Sequence, residues 1–240
     1  MIVEHLKLDV GLYFWYPDGY ADMDFYAEDL LQNNKYHHVE LLNYVDFADS
    51  FVIDIGAYVG TFSYWSHMVG AKRVAAFEPF VANYNCLVTN LMAEPILPIK
   101  ASLNSQFYPY AITDSERVVH LTGYGQKVMP CDEHDCSEKS SMALGVRLDK
   151  IYDQLKFNAG DHVIIKMDIE GHEEKAIRGA EQLIKNHPNL TLILCSYHYK
   201  DQFMDLRNIL GSIREDFKYY DIGVTLNGNT ALLIAGGASI

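Results

Sequence analysis

Long apolar runs are missing from this sequence of 240 residues. None approaches the ~20 residues that a membrane-crossing helix needs, so no membrane partner is expected. Positive charge is also scarce: 19 Lys and Arg stand against 32 Asp and Glu, a formal net charge of −13. A field of that sign repels phosphate backbones. The Lys and Arg present are scattered, not gathered in a stripe, which argues against a nucleic-acid substrate. Cysteines number four. Cys86 and Cys195 sit in apolar runs, as buried thiols do. Cys131 and Cys136 bracket a stretch containing His134, but no second paired knuckle completes a zinc site, and the segment reads as a polar surface loop. No G-x-S-x-G elbow, H-E-x-x-H helix or Ser-x-x-Lys occurs, which leaves hydrolase and zinc-protease chemistry without their signatures. The start, MIVEHLKLDVGLYFWYPDG, has no basic segment leading into an apolar run and a small-residue cleavage site, so a cytoplasmic location is expected.

What is present is an alternation. Apolar residues make up 49% and charged residues 21%, enough for one well-buried domain. Phe51 to Ile55 is a short, nearly continuous apolar run ending in glycines, the signature of a strand covered on both faces. A helix over 61–69, a strand over Arg73 to Phe77 and a helix over 80–93 complete a βαβ unit. The later half repeats the rhythm: strand His162 to Met167, helix Glu173 to Asn186, strand Leu190 to Ser196, helix Phe203 to Glu215. Two last strands, near Tyr219 to Val224 and Ala231 to Ala235, flank Asn227-Gly228, a hairpin-turn signal. In between, Tyr108 to Ile112 and Val118 to Thr122 read as strands and 123–143 as a polar loop. The expected architecture is a doubly wound α/β domain over residues 51–240. Residues 1–50, with one helix near His38 to Phe47, form an extension packed on it.

Three constellations carry chemistry. Asp54-Ile-Gly-Ala-Tyr-Val-Gly60 follows the first strand, and Gly56 and Gly60 let the backbone turn and approach a ligand. Tyr58 stands where a G-x-G-x-x-G fingerprint has its middle glycine, and no Gly-Lys-Ser/Thr follows; a nucleoside without phosphates fits better than a dinucleotide. Glu78 closes the second strand, 24 residues beyond Asp54, where an acid can hold ribose hydroxyls. The third is Lys166-Met-Asp168-Ile-Glu170-Gly171-His172-Glu173. Positions 166, 168 and 170 share one strand face, and burying a lysine and two carboxylates there is costly unless they pair. Lys166 holding Asp168 is the structural reading; an open catalytic crevice is the functional one. After the next strand, Ser196-Tyr-His198 places an imidazole at the same edge, a candidate general base.

Taken in order, Val52 to Phe62, Ala76-Phe-Glu-Pro79, Ala111-Ile-Thr-Asp114, Arg147-Leu-Asp149 and Ile165 to Glu173 resemble the successive signatures of the FkbM family of S-adenosylmethionine-dependent methyltransferases. The resemblance runs over about residues 51 to 197. It implies a class I methyltransferase fold, Rossmann-like, with a mostly parallel seven-stranded sheet that ends in an antiparallel strand. It also implies S-adenosyl-L-methionine as cofactor. Asp54, Gly56, Ala57, Tyr58 and Gly60 would lie at its methionine end and Glu78 at its ribose. Asp114, with Ala111 and Ile112, would lie at its adenine, and Asp168 and Glu170 would face the reaction centre. The chain departs from the pattern at His172 and in a lengthened 94–106 segment.

The expected reaction is in-line methyl transfer to a hydroxyl oxygen of a small molecule or carbohydrate. His198 or Asp168 takes the proton, with Lys166 steadying Asp168. No metal is assigned, although Asp168, Glu170 and His198 are the set that would converge on a hard cation. Two rivals stay open: a non-catalytic nucleoside-binding module, and a dinucleotide-dependent oxidoreductase, which Tyr58 disfavours. Neither the acceptor nor the oligomeric state is written in the residues.

Overall fold

In the computed structural model, which describes residues 3–7, 13–17, 38–92, 104–123, 128–131, 140–224 and 230–236, an antiparallel pair opens the chain: β1 (Val3–Lys7) and β2 (Tyr13–Pro17). A short helix, α1 (His38–Leu41), covers only the first part of the expected 38–47 helix. The alternation then runs through β3 (Phe51–Ile55), α2 (Thr61–Met68), β4 (Arg73–Phe77), α3 (Val81–Met92) and β5 (Ser105–Tyr108). A middle section holds β6 (Tyr110–Ile112), β7 (Arg117–Thr122), β8 (Met129–Cys131), β9 (Ser141–Val146) and α4 (Leu148–Leu155). The last section is β10 (Val163–Met167), α5 (Glu173–Gly179), α6 (Glu181–Asn186), β11 (Leu190–Cys195), α7 (Gln202–Ile213), β12 (Lys218–Val224) and β13 (Thr230–Gly236).

Among the described residues the main sheet has seven strands, in the order β12-β13-β11-β10-β3-β4-β5. Every pair from β11 to β5 is parallel, and β13 runs against both its neighbours. This is the expected class I topology. The Asn227-Gly228 turn lies outside the described residues. From β3 the chain winds outward to β5, then returns on the other side through β10 and β11. Where winding reverses, between β3 and β10, helices diverge and a crevice opens beyond the carboxyl ends.

The strands are apolar because both sheet faces are covered. Val52, Ile164 and Ile193 face a layer with Leu41, Phe62, Leu87 and Leu91. Ile53, Ile165 and Leu192 face the opposite layer with Ile177, Ile184, Leu206 and Leu210. No helix among the described residues is long and apolar enough to cross a membrane.

One pair breaks the apolar pattern. Asp54 and Lys166 stand opposite each other on β3 and β10, both with at most 1% of their surface exposed. Lys166 Nζ lies 3.0 Å from Asp54 Oδ1 and donates to the Gly56 carbonyl at 2.8 Å, while Ser63 Oγ donates to Asp54 Oδ2 at 2.6 Å. Burial acts to lower the Lys166 pKa, but Asp54, joined by the field of Asp168, outweighs it and holds the ammonium above its ordinary value. The sequence reading gave Lys166 to Asp168. Register adds Asp54, the facing residue on the adjacent strand, as a close ionic partner, while Asp168 also acts on the ammonium.

Other departures have local causes. The strand expected over 108–112 divides at Pro109, which has no N–H to give a ladder. β5 stays in the main sheet, and β6 joins a separate sheet that among the described residues has four strands, ordered β6-β9-β7-β8. That sheet takes in β9, whose Met142 and Leu144 are exposed, so half of it lacked an apolar run; its first three residues fall in the segment read as a loop. The helix expected over 173–186 restarts at Ala180. There Asp149 accepts the N–H groups of Gln182 and Leu183, both at 3.0 Å, and caps α6. Just before the break, Gly179 presses so closely on β6 that a Cβ would fall 2.0 Å from the Thr113 carbonyl oxygen. Cys86 and Cys195 are buried free thiols, as read, whereas Cys131 is disulfide-bonded. Residues 132–139, with His134 and Cys136, lie outside the described residues.

Removing one member of a buried ion pair strands the other. Asp54→Asn should destabilise the chain by about 3–5 kcal/mol in denaturant unfolding; a loss below ~1 kcal/mol would mean that the pair is hydrated.

Candidate active site

Three strands end level with one another. Ile55, Phe77 and Met167 are partners across β4, β3 and β10. The ladder continues one step past the strands: Gly56 N–H donates to Phe77 O at 3.0 Å and Asp168 N–H to Ile55 O at 3.1 Å. Gly56, Glu78 and Asp168 therefore leave the sheet side by side, and all three line one cavity.

Gly56 has φ of +75°, and a Cβ there would sit 2.0 Å from the Asp168 carbonyl oxygen. Only glycine allows the turn to lie against β10. Tyr58 also has positive φ, 53°, a costly conformation for a bulky residue. Its N–H is spent on Glu78 Oε2 at 2.9 Å, so this loop does not turn that donor toward a phosphate. Ala57 and Tyr58 join Gly56 in the cavity wall. Gly60 caps α2 in a left-handed conformation and backs onto Leu87 and Leu91, away from the wall. Asp54 is beneath the wall, in its ion pair.

Glu78 is 5% exposed. Besides Tyr58 N–H, it accepts the N–H of Phe80 at 3.0 Å and Asn83 Nδ2 at 3.4 Å, both on Oε1. These donors all favour the ionised form, yet burial prevails and pushes the carboxyl up to about 7. A carboxylate offers about four acceptor sites, so one on Oε2 remains open to a ligand hydroxyl.

Tyr110, Ala111 and Ile112 form the next part of the wall, and Leu121, Val128 and Pro130 reach it from the second sheet. Asp114 is set back from it. Its carboxylate takes the hydroxyls of Thr113 and Ser115 and pairs with Arg117 at 3.2 Å.

Asp168 and Glu170 form the wall on the β10 side, with His172 beside them. Burial holds His172 below the ordinary imidazole pKa. Glu170 and Gly171 both have positive φ, 56° and 88°, which turns the chain abruptly into α5. Behind the carboxylates stands His198. Its Nε2 is 3.3 Å from Asp168 Oδ1 and 4.0 Å from Glu170 Oε1, and its Nδ1 is 3.5 Å from Glu173 Oε1. Burial opposes its charge, but Asp168, Glu173 and Glu170 outweigh that and raise its pKa. Tyr197 Oη donates to Asp168 Oδ1 at 3.1 Å. Glu173 is fully buried and accepts Ile169 N–H at 2.9 Å and Gln202 Nε2 at 2.6 Å, and Gln202 Oε1 takes the His198 N–H at 2.8 Å.

The structure thus gathers Gly56, Ala57, Tyr58, Glu78, Ala111, Lys166, Asp168 and Glu170 around one cavity. His198 adjoins it, and Asp54, Gly60 and Asp114 lie outside the wall. Asn83, Tyr197 and Gln202 were not singled out from the sequence. Gln202 carried a signal, four residues after His198; Asn83 followed Glu78 by five. Tyr197 was visible only as the neighbour of the histidine.

The model for the Methyltransferase FkbM domain matches residues 54–219, more than half of the chain. No curated protein matches it in sequence. A structure of methyltransferase FkbM from Methylobacillus flagellatus KT is similar with TM-score 0.60 and 22% identity, over 80% of this chain and 45% of that one. The chain therefore spans less than half the length of that relative. Magnesium protoporphyrin IX methyltransferase (ChlM) from Synechocystis PCC 6803, with bound S-adenosylmethionine, gives TM-score 0.52 at 16% identity, over 92% of this chain and 85% of that one. The O-methyltransferase TomG from Streptomyces achromogenes, involved in tomaymycin synthesis and also in complex with S-adenosylmethionine, gives 0.51 at 14%, over 91% and 86%. These likenesses show the fold. The match over 54–219, with the topology and the glycine loop, shows more: the chain belongs to the FkbM methyltransferase family.

Proposed function

We propose that the chain binds S-adenosyl-L-methionine across the ends of β3, β4 and β10 and transfers its methyl group to a hydroxyl oxygen of a small molecule or carbohydrate. The observation that carries this reading is the shared cavity: the Gly56–Tyr58 turn, Glu78 and Asp168 open onto one space, in that order across three level strands. Two of the solved structures with this fold contain the same cofactor.

The roles follow from position. Glu78 takes a ribose hydroxyl on Oε2; a second hydroxyl needs the long Asn83 contact to yield. The turn at Gly56 and Ala57 receives the methionine end. Tyr110, Ala111 and Ile112 supply a surface for the adenine. The acceptor enters beside Asp168 and Glu170. In the transfer step the sulfonium C–S bond breaks as the C–O bond forms, and the hydroxyl proton passes to Asp168, which Tyr197 and His198 hold in place. The products are S-adenosylhomocysteine and the methyl ether.

Isothermal titration of S-adenosylmethionine tests the first half. A Glu78→Gln substitution should weaken binding by about 10–100-fold, the worth of a charge-assisted hydrogen bond. The ionised carboxylate is the much stronger acceptor for a hydroxyl, so binding is linked to its ionisation. With the Glu78 pKa near 7, affinity should fall toward tenfold per pH unit as pH drops below that value. Binding at about pH 6 should then release close to one proton, read from buffers of different ionisation heat; E78Q should show neither effect. Equal affinity for both proteins at every pH would remove Glu78 from the cofactor site.

Asp168→Asn tests the second half. It should leave cofactor affinity within about threefold while lowering turnover on a hydroxyl-compound panel by roughly 10²–10⁴. Full turnover in D168N overturns the assignment.

A further inference from the structure

In the proposed transfer the proton goes to Asp168, which Tyr197 and His198 hold. Glu173 has no part in that step and does not border the cavity, yet it is a fully buried acid. Burial raises its carboxyl above the ordinary value, and His198 leads the groups that draw it back. Capping the turn does not require the charge. The Ile169 N–H that Glu173 Oε1 accepts at 2.9 Å would be met as well by an uncharged amide. What the charge meets is His198, whose Nδ1 lies 3.5 Å from the same Oε1.

The imidazole thus stands between carboxylates on both sides. Its Nε2 is 3.3 Å from Asp168 Oδ1 and 4.0 Å from Glu170 Oε1. These contacts are held by charge more than by well-directed hydrogen bonds. A protonated ring turns an N–H to each side, whereas a neutral ring sets a lone pair against one of its acidic neighbours. Only the cation suits both. The other titratable neighbours do not compete for this place: the Tyr197 ring lies 4.5 Å from the imidazole, centre to centre, and burial holds His172 below the ordinary imidazole value. Gln202, 1% exposed, secures the arrangement from α7. Its Nε2 donates to Glu173 Oε2 at 2.6 Å, and its Oε1 accepts the main-chain N–H of His198 at 2.8 Å. One amide therefore fixes both the acid and the backbone that carries the ring.

We infer that Glu173 and Gln202 are positioning residues for the methyl transfer: from behind the cavity wall they hold His198 against Asp168, and so aim that carboxylate at the acceptor hydroxyl. A buried acid that orients an imidazole in front of it is a recurring arrangement. The inference rests on the reading of Asp168 as the group that takes the proton. It has a signature in pH. Asp168, Glu173 and Glu170 raise the His198 pKa against burial, so the ring is charged below that value and loses its charge as pH rises through it. Turnover should fall along an alkaline limb that follows the His198 titration.

Two measurements on the full chain separate this role from a merely structural one. The first follows the His198 ring nitrogens by NMR across pH, the signal being assigned by its loss in His198→Asn; it needs no acceptor. In Glu173→Gln the ring should titrate at least about one pH unit lower, and Glu173→Asp, which keeps the charge, should recover most of that. The second is steady-state turnover on the hydroxyl-compound panel. E173Q should lower kcat by about tenfold or more, keep the KM for S-adenosylmethionine within about threefold, and move the alkaline limb down together with the ring titration. Gln202→Leu alters no charge and should lower kcat by roughly 3–10-fold with the same unchanged KM; it carries the test if thermal melts show that E173Q does not fold. An unmoved ring titration in E173Q overturns the inference. So does a titration that moves while turnover and its alkaline limb stay in place, or full turnover in Q202L. Absence of S-adenosylmethionine binding by the unaltered chain fails the methyltransferase reading instead, while the ring titration still decides whether Glu173 sets the state of His198.

Discussion

A buried ammonium sits at the seam where the sheet changes its direction of winding. Lys166 reaches from β10 to Asp54 on β3 and to the carbonyl of Gly56 just beyond it. These contacts tie the first residue of the cavity-facing turn to the strand that carries Asp168. Such a pair does not have to add net stability; hydrophobic residues of similar volume often do as well. What it supplies here is register. A slip of one residue between β3 and β10 would turn every side chain to the other face, bury the two charges in different layers, and part the Gly56 turn from Asp168.

The acids at the strand ends divide by what surrounds them. Glu78 and Glu173 are almost wholly buried and ringed by donors from their own chain. Asp168 and Glu170 border the cavity, and Glu170 is the most exposed of the group. Glu78 keeps one open acceptor site toward the cavity, and Glu173 is held by Ile169 and Gln202 against His198. The same side-chain chemistry thus serves contact in one place and scaffolding in another, decided by how many lone pairs the protein has already filled.

This division explains what could be read in advance. β3, β4, β10 and β11 were legible because burial on both faces demands continuous apolar runs. Glu78 and Asp168 were legible at the cavity because polar residues that close such runs lie at strand ends, whereas Asp54, read at the ligand too, lies inside β3 in its ion pair. The partner of Lys166 was not legible, since one strand does not disclose which residue will stand opposite. The second sheet was hidden for a related reason: Met142 and Leu144 are exposed, so β9 never displays a buried run. Asp149 shows a further limit. It belongs to a family signature, yet its carboxylate caps α6, a structural duty that a motif by itself does not distinguish from a chemical one.

Gly179 lets α5 rest directly on the end of β6, with main chain against main chain and no side chain between. Side chains yield by changing rotamer; peptide groups in contact have no such freedom. α5 begins with Glu173, and β6 holds Tyr110, Ala111 and Ile112 in the opposing wall. The two sides of the crevice are therefore coupled like the jaws of a clamp with a welded hinge. A displacement of β6 would meet the backbone of α5 with no side chain between them to absorb it.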